Sequence, residues 1–154
     1  MIVVSDTSPL TTLLQIGKVD LLQKLYGEVL IPEAVRGELF ITHQSLPGFF
    51  LCVSVTDRQA VTRLLVELDP GEAEAIVLAK ERHADVLLID ELEGRNVAAR
   101  EGLPFVGLLG VLGQAKLKGF LPSVRDVLRE IENETTFFLS QEMENLALKL
   151  AGEL

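Results

Sequence analysis

The sequence predicts an α/β fold in which helices cover both faces of a mostly parallel sheet. First, short apolar runs of strand length alternate along the chain with longer segments of helical character. Second, the runs at 2–6 and 86–90 begin with three or four apolar residues, as is expected of inner strands in a parallel sheet, and end on acids. Third, 154 residues, of which 48% are hydrophobic, are enough for one domain with a substantial core.

Glycine and proline divide the first half of the chain into its elements. Gly17 and Gly27 follow the first two helical segments and are expected to end them. Pro32 suits the first turn of the third helix, and the polar stretch 44–48 is expected to be a loop. The elements predicted here are strands 2–6, 28–31 and 51–55 and helices 8–16, 18–25, 32–43 and 57–68.

The second half follows the same rules. Asp69, Pro70 and Gly71 are typical of a helix start, and Gly102 separates a helix from the last short strand. The elements predicted here are strands 86–90 and 104–106 and helices 70–83, 93–101, 108–118, 122–132 and 140–151. We find no repeat or linker, so we expect one domain over 1–154, whose segment 140–154 forms a C-terminal helix that packs on the domain or on a partner.

Composition excludes several classes of protein. The balance of 23 acids against 14 bases gives a net charge of −9, which argues against a protein that coats nucleic acid through a basic surface. It leaves open an enzyme that gathers acids around a divalent cation. Cys52 is the only cysteine, which excludes an internal disulfide and a cysteine zinc cluster. Without a membrane-length apolar run or a signal peptide, we expect a cytoplasmic protein that does not bind membranes.

The stretch "IVVSDTSPL" at residues 2–10 raises the question of function, because a buried strand leads straight into Asp6, Thr7 and Ser8. One interpretation is a helix cap, since such side chains accept hydrogen bonds from backbone N–H groups and Pro9 suits a first helical turn. The other interpretation is a metal-binding acid at the carboxyl end of a central strand, where open α/β sheets place their sites. Both interpretations are open at this point.

Acids in two predicted helices also occupy unexpected positions. Val35 and Leu39 share a core-facing line, and Glu38 lies on its flank, where it is either partly desolvated or turned out to solvent. In "LDPGEAEAIVLA", Asp69 and Glu72 fit a capping box, which is a sufficient structural reason for Glu72. Glu74 has no such reason in an otherwise apolar helix, so we prefer Glu74 to Glu72 as the functional acid.

The stretch "DVLLIDE" at residues 85–91 repeats the pattern of the N-terminus, because an apolar run ends on Asp90 and Glu91. The carboxyl ends of parallel strands lie at the same edge of a sheet. We therefore expect Asp6 and Asp90 to face one site, with Glu91 as the second choice for the acid of this strand.

Taken together, the ordered motifs resemble the PIN-domain family of metal-dependent ribonucleases, which includes VapC-type toxins. The resemblance is to a branch of small bacterial and archaeal PIN proteins, and it covers residues 2 to about 132. The motifs that carry it are "VVSDTSPL", "LIPEAVRGEL", "LDPGEAEAIVLAKE", "LLIDE" and "GLPFVGLLGVLGQAKLKGFLP". The chain departs from commoner PIN patterns in its glutamate at the third acid and in lacking Thr-x-Asp before the fourth.

The resemblance implies a three-layer α/β/α sandwich with four acids in one pocket, Mg²⁺ or Mn²⁺ as cofactor, and cleavage of RNA. Oxygen ligands suit Mg²⁺, and a bound cation can activate water for phosphodiester hydrolysis. In this interpretation Asp6, Asp90 and Glu74 hold the metal, and Glu38 orients or deprotonates the attacking water. Ser8, or else Thr7, supports a ligand or caps the helix.

The sequence indicates less about the residues that contact a substrate or a partner protein. Arg95, Arg36 and Lys116, and after them Arg100 and Lys118, are either phosphate contacts or ordinary surface charges. The resemblance to toxins implies a homodimer and a small antitoxin protein, and a surplus of leucines in the helices 8–25 and 140–151 favours the dimer.

Two other folds that gather acids at strand ends fit the sequence less well than a nuclease. A receiver-like signalling domain requires an acidic pair after its first strand, and a haloacid-dehalogenase-like phosphatase requires Asp-x-Asp there, whereas "DTS" offers one acid. A PIN-like module that binds nucleic acid or acts as a scaffold without catalysis is the remaining alternative.

Overall fold

The computed structural model describes residues 1–154 and contains a five-stranded sheet whose strands are all parallel. The spatial order is β3-β2-β1-β4-β5, so the N-terminal strand lies in the middle. This arrangement places the ends of β1 and β4 side by side, because Val3, Val4 and Ser5 pair with Val86, Leu87 and Leu88. The strands are β1 (Val3–Ser5), β2 (Val29–Ile31), β3 (Phe50–Cys52), β4 (Val86–Leu88) and β5 (Phe105–Val106).

Nine helices connect and cover the strands, and each predicted helix is present. They are α1 (Thr7–Gln15), α2 (Asp20–Tyr26), α3 (Glu33–Thr42), α4 (Arg58–Leu64), α5 (Pro70–Glu81), α6 (Leu92–Arg100), α7 (Leu108–Leu117), α8 (Val124–Glu134) and α9 (Gln141–Leu150). The largest differences from prediction are that β3 ends at Cys52 rather than at 55 and α4 ends at Leu64 rather than at 68. None of the helices has the length and apolarity that crossing a membrane requires.

Two apolar clusters, one on each face of the sheet, form the core. Neighbouring strand residues alternate between them, since Val3 and Leu88 belong to one cluster and Val4 and Leu87 to the other. The larger cluster has 24 buried residues and includes residues of α1, α2, α3, α7, α8 and α9, whereas the 16 of the smaller come largely from α4, α5 and α6. The predicted three-layer α/β/α sandwich is therefore confirmed, with a sheet that is parallel throughout.

The leucines of α1 and α2 complete this core. Leu10, Leu13, Leu21 and Leu22 are buried, and Leu14 and Leu25 pack against the same cluster. They therefore no longer indicate a surplus for a dimer interface. The C-terminal helix α9 packs on the domain through Ala147 and Leu148 and leaves Leu146 and Leu150 exposed.

Candidate active site

Asp6 directly follows β1 and its side chain is buried, with only 3% of the residue exposed. The residue stands at the N-cap position of α1, but its side chain makes no capping hydrogen bond. Its backbone N–H donates to the carbonyl of Leu88 at 2.9 Å, which fastens the end of β1 to β4. A helix cap therefore does not account for this carboxylate, and a buried acid that caps no helix is a candidate for a functional-site residue.

A polar pocket of about 220 Å³ opens beside Asp6, and we call it the acid pocket. Its lining contains six acids, two hydroxyls and no base. The lining residues are Asp6, Thr7, Ser8, Glu38, Asp69, Glu72, Glu91 and Glu93. Asp6, which follows β1, and residues at the starts of α1, α5 and α6 thus meet Glu38 of α3 at the carboxyl edge of the sheet, where α/β folds place their sites.

Two carboxyl groups of the acid pocket, those of Asp6 and Glu72, have raised pKa values. Burial, followed by repulsion from Glu72, Asp69 and Glu38, raises the pKa of Asp6 to about 8, although a backbone hydrogen bond at Thr7 partly offsets this. Burial is also the main reason that the pKa of Glu72 is raised, and the charges of Asp69 and Glu91 add to it. Groups that resist ionisation in this way would be relieved by a bound cation.

Glu72 has both a structural contact and an unsatisfied oxygen. Its Oε1 accepts from the Asp69 N–H at 3.3 Å, while its own N–H donates to Asp69 Oδ1 at 2.8 Å, so the predicted capping box exists. Its Oε2 is buried without a hydrogen-bond partner. A Cβ at Gly94 would lie 3.0 Å from that oxygen and 2.5 Å from the side chain of Ile89, so α6 can approach here only with a glycine.

Glu38 reaches the acid pocket from α3. The hydroxyl of Thr7 donates a short hydrogen bond to its Oε2. Gly71, in the first turn of α5, allows the approach, since a Cβ there would lie 2.8 Å from both carboxylate oxygens. Val35 and Leu39 are fully buried beside it, so the predicted position of Glu38 on the flank of the core-facing line is confirmed.

Glu74 does not line the acid pocket. Its carboxylate accepts from the Ala34 N–H at 3.1 Å, in the first turn of α3, and from Arg58 Nη1 at 3.2 Å. It is buried, as predicted, but it fastens α3 and α4 to α5. The preference for Glu74 over Glu72 is corrected by this geometry, because only Glu72 points into the pocket.

The two acids after β4 take different directions. Asp90 Oδ1 accepts from the Leu108 N–H at 2.8 Å and lies 3.8 Å from Arg95 Nη2, whereas Oδ2 is buried without a partner. Burial raises the pKa of Asp90, against lowering by the Leu108 N–H and Arg95. Asp90 faces a neighbouring cavity rather than the acid pocket, which Glu91 lines instead, with Ser8 Oγ 3.4 Å from Glu91 Oε1. Glu91, the second choice for the acid of this strand, thus lines the acid pocket together with Asp6, whereas Asp90 lines the neighbouring cavity.

Of the predicted phosphate contacts, only Arg95 lies beside the acids, in the neighbouring cavity. Arg36 stacks over the ring of Phe40 at 5.1 Å, and Lys116 Nζ is 3.0 Å from Glu153 Oε2. Arg100 pairs with Glu67, and Lys118 is exposed at the C-terminal end of α7.

Two residues that line the acid pocket, Asp69 and Glu93, were not predicted from the sequence. A helix cap is a sufficient reason for Asp69, and Glu93 has the pattern of an ordinary surface residue.

The donor set suits a hard divalent cation. As placed, no group of three or more Asp, Glu, His or Cys side chains converges closely enough to hold a metal ion. However, the pocket offers only oxygen donors, one of its acids, Glu72, has a carboxylate oxygen without a hydrogen-bond partner, and its acids repel one another. The donor chemistry of the pocket therefore suits a hard divalent cation, which prefers oxygen ligands.

Comparison with known proteins gives one family. A family model described as a PIN domain matches residues 2–153, which is nearly the whole chain. No curated protein matches the chain. The parallel sheet, the acids at its carboxyl edge and this match agree with one another. The chain therefore belongs to the PIN-domain family, whose members are generally nucleases that use divalent metal ions.

Proposed function

We propose that this protein is an endoribonuclease that hydrolyses phosphodiester bonds in RNA with Mg²⁺ or Mn²⁺. The observation that carries the proposal is the acid pocket, in which buried Asp6 and Glu72 lie among four further acids at the carboxyl edge of the sheet. The specific choice of RNA is supported by the resemblance of the acidic motifs to those of PIN ribonucleases.

Some side chains of the pocket would bind the metal ion, and others would orient the remaining acids. Asp6 and Glu72 are the best metal ligands, because both are buried and the Oε2 of Glu72 has no other partner. Glu91 completes this set in place of Asp90 and Glu74. A divalent ion, when bound, supplies a water of lowered pKa and neutralises charge on the phosphoryl oxygens.

The hydroxyls next to Asp6 orient the remaining acids. Thr7 donates to one oxygen of Glu38, which leaves the other oxygen free to accept a proton from the attacking water. Ser8 lies within reach of Glu91 and can fix its direction. Asp90 holds the N-terminus of α7 through Leu108 and keeps Arg95 in place, so it positions the neighbouring residues.

Cleavage of a fluorescent unstructured RNA in Mn²⁺ tests the proposal. We expect wild type to cleave it, and EDTA to stop cleavage. Asp6→Asn and Glu72→Gln should lose at least about 100-fold in rate, since even outer partners of metal ligands are worth about 10- to 100-fold. Glu74→Gln is the matched control: it removes an equally buried carboxylate outside the pocket, and its activity should stay within about threefold.

The outcomes are distinct. Loss of cleavage in Glu74→Gln with normal cleavage in Glu72→Gln would reverse the assignment of the third acid. No cleavage by wild type, under conditions in which it binds RNA, would favour the second candidate function, a catalytically inactive module that binds nucleic acid or acts as a scaffold. What favours that candidate is that no three acids converge on one point.

We extend the proposal to a toxin that forms a homodimer and is held by a small antitoxin protein. Its support is the resemblance to VapC-type toxins, together with the exposed leucines of α9, namely Leu146 and Leu150. Light scattering at micromolar concentration tests the dimer, and a mass near 17 kDa would contradict it. Co-purification of a small protein from the native host tests the antitoxin.

A further inference from the structure

The two edges of the sheet differ in how they are protected against pairing with another chain. β5, at one edge, follows Pro104 and has the guanidinium of Arg95 5.9 Å from the ring centre of Phe105. A proline and a charge are usual means of blunting an edge strand. β3, at the other edge, is also short but lies within the stretch "FFLCVSV" at 49–55, which contains neither a charge nor a proline. The β3 edge is therefore the one that is open to strand pairing.

At this edge, the backbone groups of three residues point away from the sheet. β2 binds β3 through Phe49, whose carbonyl accepts an N–H at 3.0 Å, and through Val53, whose N–H donates to a carbonyl at 2.9 Å. The backbone groups of successive strand residues point to opposite sides, so those of Phe50, Cys52 and Ser54 are directed to the open edge. Cys52 and Ser54 are also exposed, so a second chain has access to them.

Two copies of this edge fit one another when they run antiparallel with Cys52 opposite Cys52. The Phe50 N–H already donates to the Pro47 carbonyl at 3.1 Å, so a register that places Phe50 opposite Cys52 would lack one of its donors. With Cys52 at the centre, each Cys52 N–H donates to the Cys52 carbonyl of the other copy, and each Ser54 N–H donates to the Phe50 carbonyl. The edge is thus complementary to itself about a two-fold axis, as a closed homodimer requires.

Apolar side chains beside the edge supply contact area that a few backbone hydrogen bonds do not. A specific interface usually buries about 1,200–2,000 Å² in total. Phe49, Leu51 and Val53 are only partly buried, and Phe40 and Ile41 of α3 are 41% and 81% exposed. A second copy that pairs with β3 covers apolar surface of this kind, which a chain in isolation leaves in water.

The charges beside the edge also suit a second copy. The chain has a formal net charge of −9, so its copies in general repel one another. Burial raises the pKa of the Cys52 thiol, Arg36 lowers it and Glu33 raises it, which places both charges beside the edge. Arg36 stacks on Phe40 and makes no ion pair, and Glu33 accepts from the Ser54 hydroxyl at 2.9 Å. A two-fold axis at Cys52 makes the Glu33 of the other copy available to each Arg36.

We infer that two copies of this chain associate through β3, with Cys52 opposite Cys52, and join their five-stranded sheets into one continuous sheet. The inference rests on the homodimer of the proposed function, to which it gives a surface, and not on cleavage. The exposed leucines of α9 take no part in this surface. Because β3 runs antiparallel to its copy, the carboxyl edges of the two sheets face opposite ways, and each acid pocket works independently of the other.

Cys52→Pro tests the pairing, because proline lacks the N–H that the second copy needs and is tolerated in an edge strand. At a concentration just above the wild-type dimer Kd, light scattering should give wild type about twice the 16.9 kDa of one chain. Cys52→Pro should raise that Kd at least about 10-fold and give the mass of one chain. Cys52→Ser keeps the N–H and is the matched control, which should remain a dimer, as should Leu146→Ser/Leu150→Ser. Cleavage of RNA per chain should be equal in all of them.

Oxidation by diamide tests the register and does not depend on the proline variant. Residues that face each other in a hydrogen-bonded antiparallel pair have Cα atoms about 5.5 Å apart, within the roughly 4.4–6.8 Å that a disulfide spans. Diamide takes two electrons and two protons from the two Cys52 thiols and leaves a disulfide between the copies, which a non-reducing gel shows. In the control Cys52→Ser/Ser54→Cys, the two thiols lie about 13 Å apart along the paired strands, so cross-linking should be at least about 10-fold slower.

The outcomes separate the inference from the proposed function. A monomeric wild type contradicts both the β3 pairing and the homodimer, whereas cleavage of RNA by that monomer leaves the nuclease standing. A dimer that dissociates in Leu146→Ser/Leu150→Ser and not in folded Cys52→Pro forms through α9 and overturns the inference. Equal rates of cross-linking in wild type and in Cys52→Ser/Ser54→Cys show collision rather than pairing, and they overturn it as well. If Cys52→Pro does not fold, the cross-linking rates alone decide.

Discussion

Carboxylates that lose solvent in this protein can have raised or lowered pKa values, and the number of hydrogen-bond donors around each carboxylate decides which. Asp6 and Glu72 are buried with few donors, and their pKa values rise. Glu153 also loses solvent, which alone would raise its pKa, but the Val124 N–H, Lys116 and the Arg125 N–H lower that pKa to about 2. The difference separates acids whose charge has few donors nearby from one whose charge the protein itself stabilises.

At the scale of the residue, Asp6 should destabilise the metal-free protein at neutral and alkaline pH. Its pKa rises to about 8 in the folded state, so the folded protein binds this proton more tightly than the unfolded chain does. The free energy of unfolding should therefore fall as pH rises from about 4 to about 8. We expect Asp6→Asn to raise the unfolding free energy in EDTA by roughly 1–3 kcal/mol at pH 8.5 and by almost nothing near pH 3.5.

Urea denaturation of both proteins across this pH range measures the effect. Exposed Glu132 on α8 provides the control, since Glu132→Gln removes one charge without a buried partner. A wild type whose stability is independent of pH, or an Asp6→Asn protein that is less stable at pH 8.5, would contradict the assignment.

At the scale of the element, acids from distant parts of the chain satisfy the N-termini of several helices. Glu74 accepts from Ala34 in α3, Glu81 from Thr56 and Asp57 at the start of α4, and Glu153 from the first turn of α8. Each acid provides what a local cap usually provides. These contacts explain why a buried acid in an apolar helix, such as Glu74, need not belong to a site.

The same contacts show what the sequence could and could not predict. Apolar runs with glycine and proline boundaries were sufficient for every strand and helix, and the strand ends located Asp6. The choice between Glu72 and Glu74 depended on long-range partners, since a capping box explains Glu72 locally while the bonds of Glu74 come from α3 and Arg58. The choice between Asp90 and Glu91 likewise depended on the Leu108 N–H, which no local pattern reveals.

Glu153 should hold the C-terminal helix against the domain. Its carboxylate accepts from the Val124 N–H at 2.7 Å and from Lys116 Nζ at 3.0 Å. Since a cap is worth about 0.5–2 kcal/mol, Glu153→Gln should lower the unfolding free energy by about that amount at pH 7. Because the pKa in the folded state is lowered to about 2, this stabilisation is present above pH 4.5 and is lost as pH falls toward 2.

Urea denaturation at pH 7 and pH 2.5 tests the size of the effect and its pH dependence. Hydrogen exchange of α9 tests its location, and faster exchange in 141–150 is expected only for Glu153→Gln and not for Glu132→Gln. Equal destabilisation at both pH values would show that the charge of Glu153 does not carry the contact.

At the scale of the whole molecule, the fold concentrates negative charge at one edge of the sheet. β1 lies between β2 and β4, so residues that follow β1 and β4 lie close to the first turns of α1, α5 and α6. The two apolar clusters fix those elements from both faces of the sheet. The folded chain therefore cannot easily separate the six acids of the pocket, so their mutual repulsion persists in the folded metal-free protein.

Mn²⁺ should accordingly stabilise the whole protein. A ligand that binds only the folded state adds about 2.7 kcal/mol at a hundredfold excess over its Kd. At roughly 2–4 °C per kcal/mol for a chain of this size, the melting temperature of wild type should rise by about 5–10 °C. The double variant Asp6→Asn/Glu72→Gln lacks both buried carboxylates and should show almost no rise.

The control separates a specific site from the acidic surface. Glu132 and Glu134 are both exposed on α8, so Glu132→Gln/Glu134→Gln changes the formal net charge of −9 by the same two units without altering the acid pocket. Its melting temperature should respond to Mn²⁺ as wild type does. If the Asp6→Asn/Glu72→Gln protein shifts as far as this control, Mn²⁺ is bound by the overall negative charge, and the acid pocket is not the metal site. If the melting temperature of the Asp6→Asn/Glu72→Gln protein alone fails to rise, the buried carboxylates are the ligands, because both double variants have the same formal net charge.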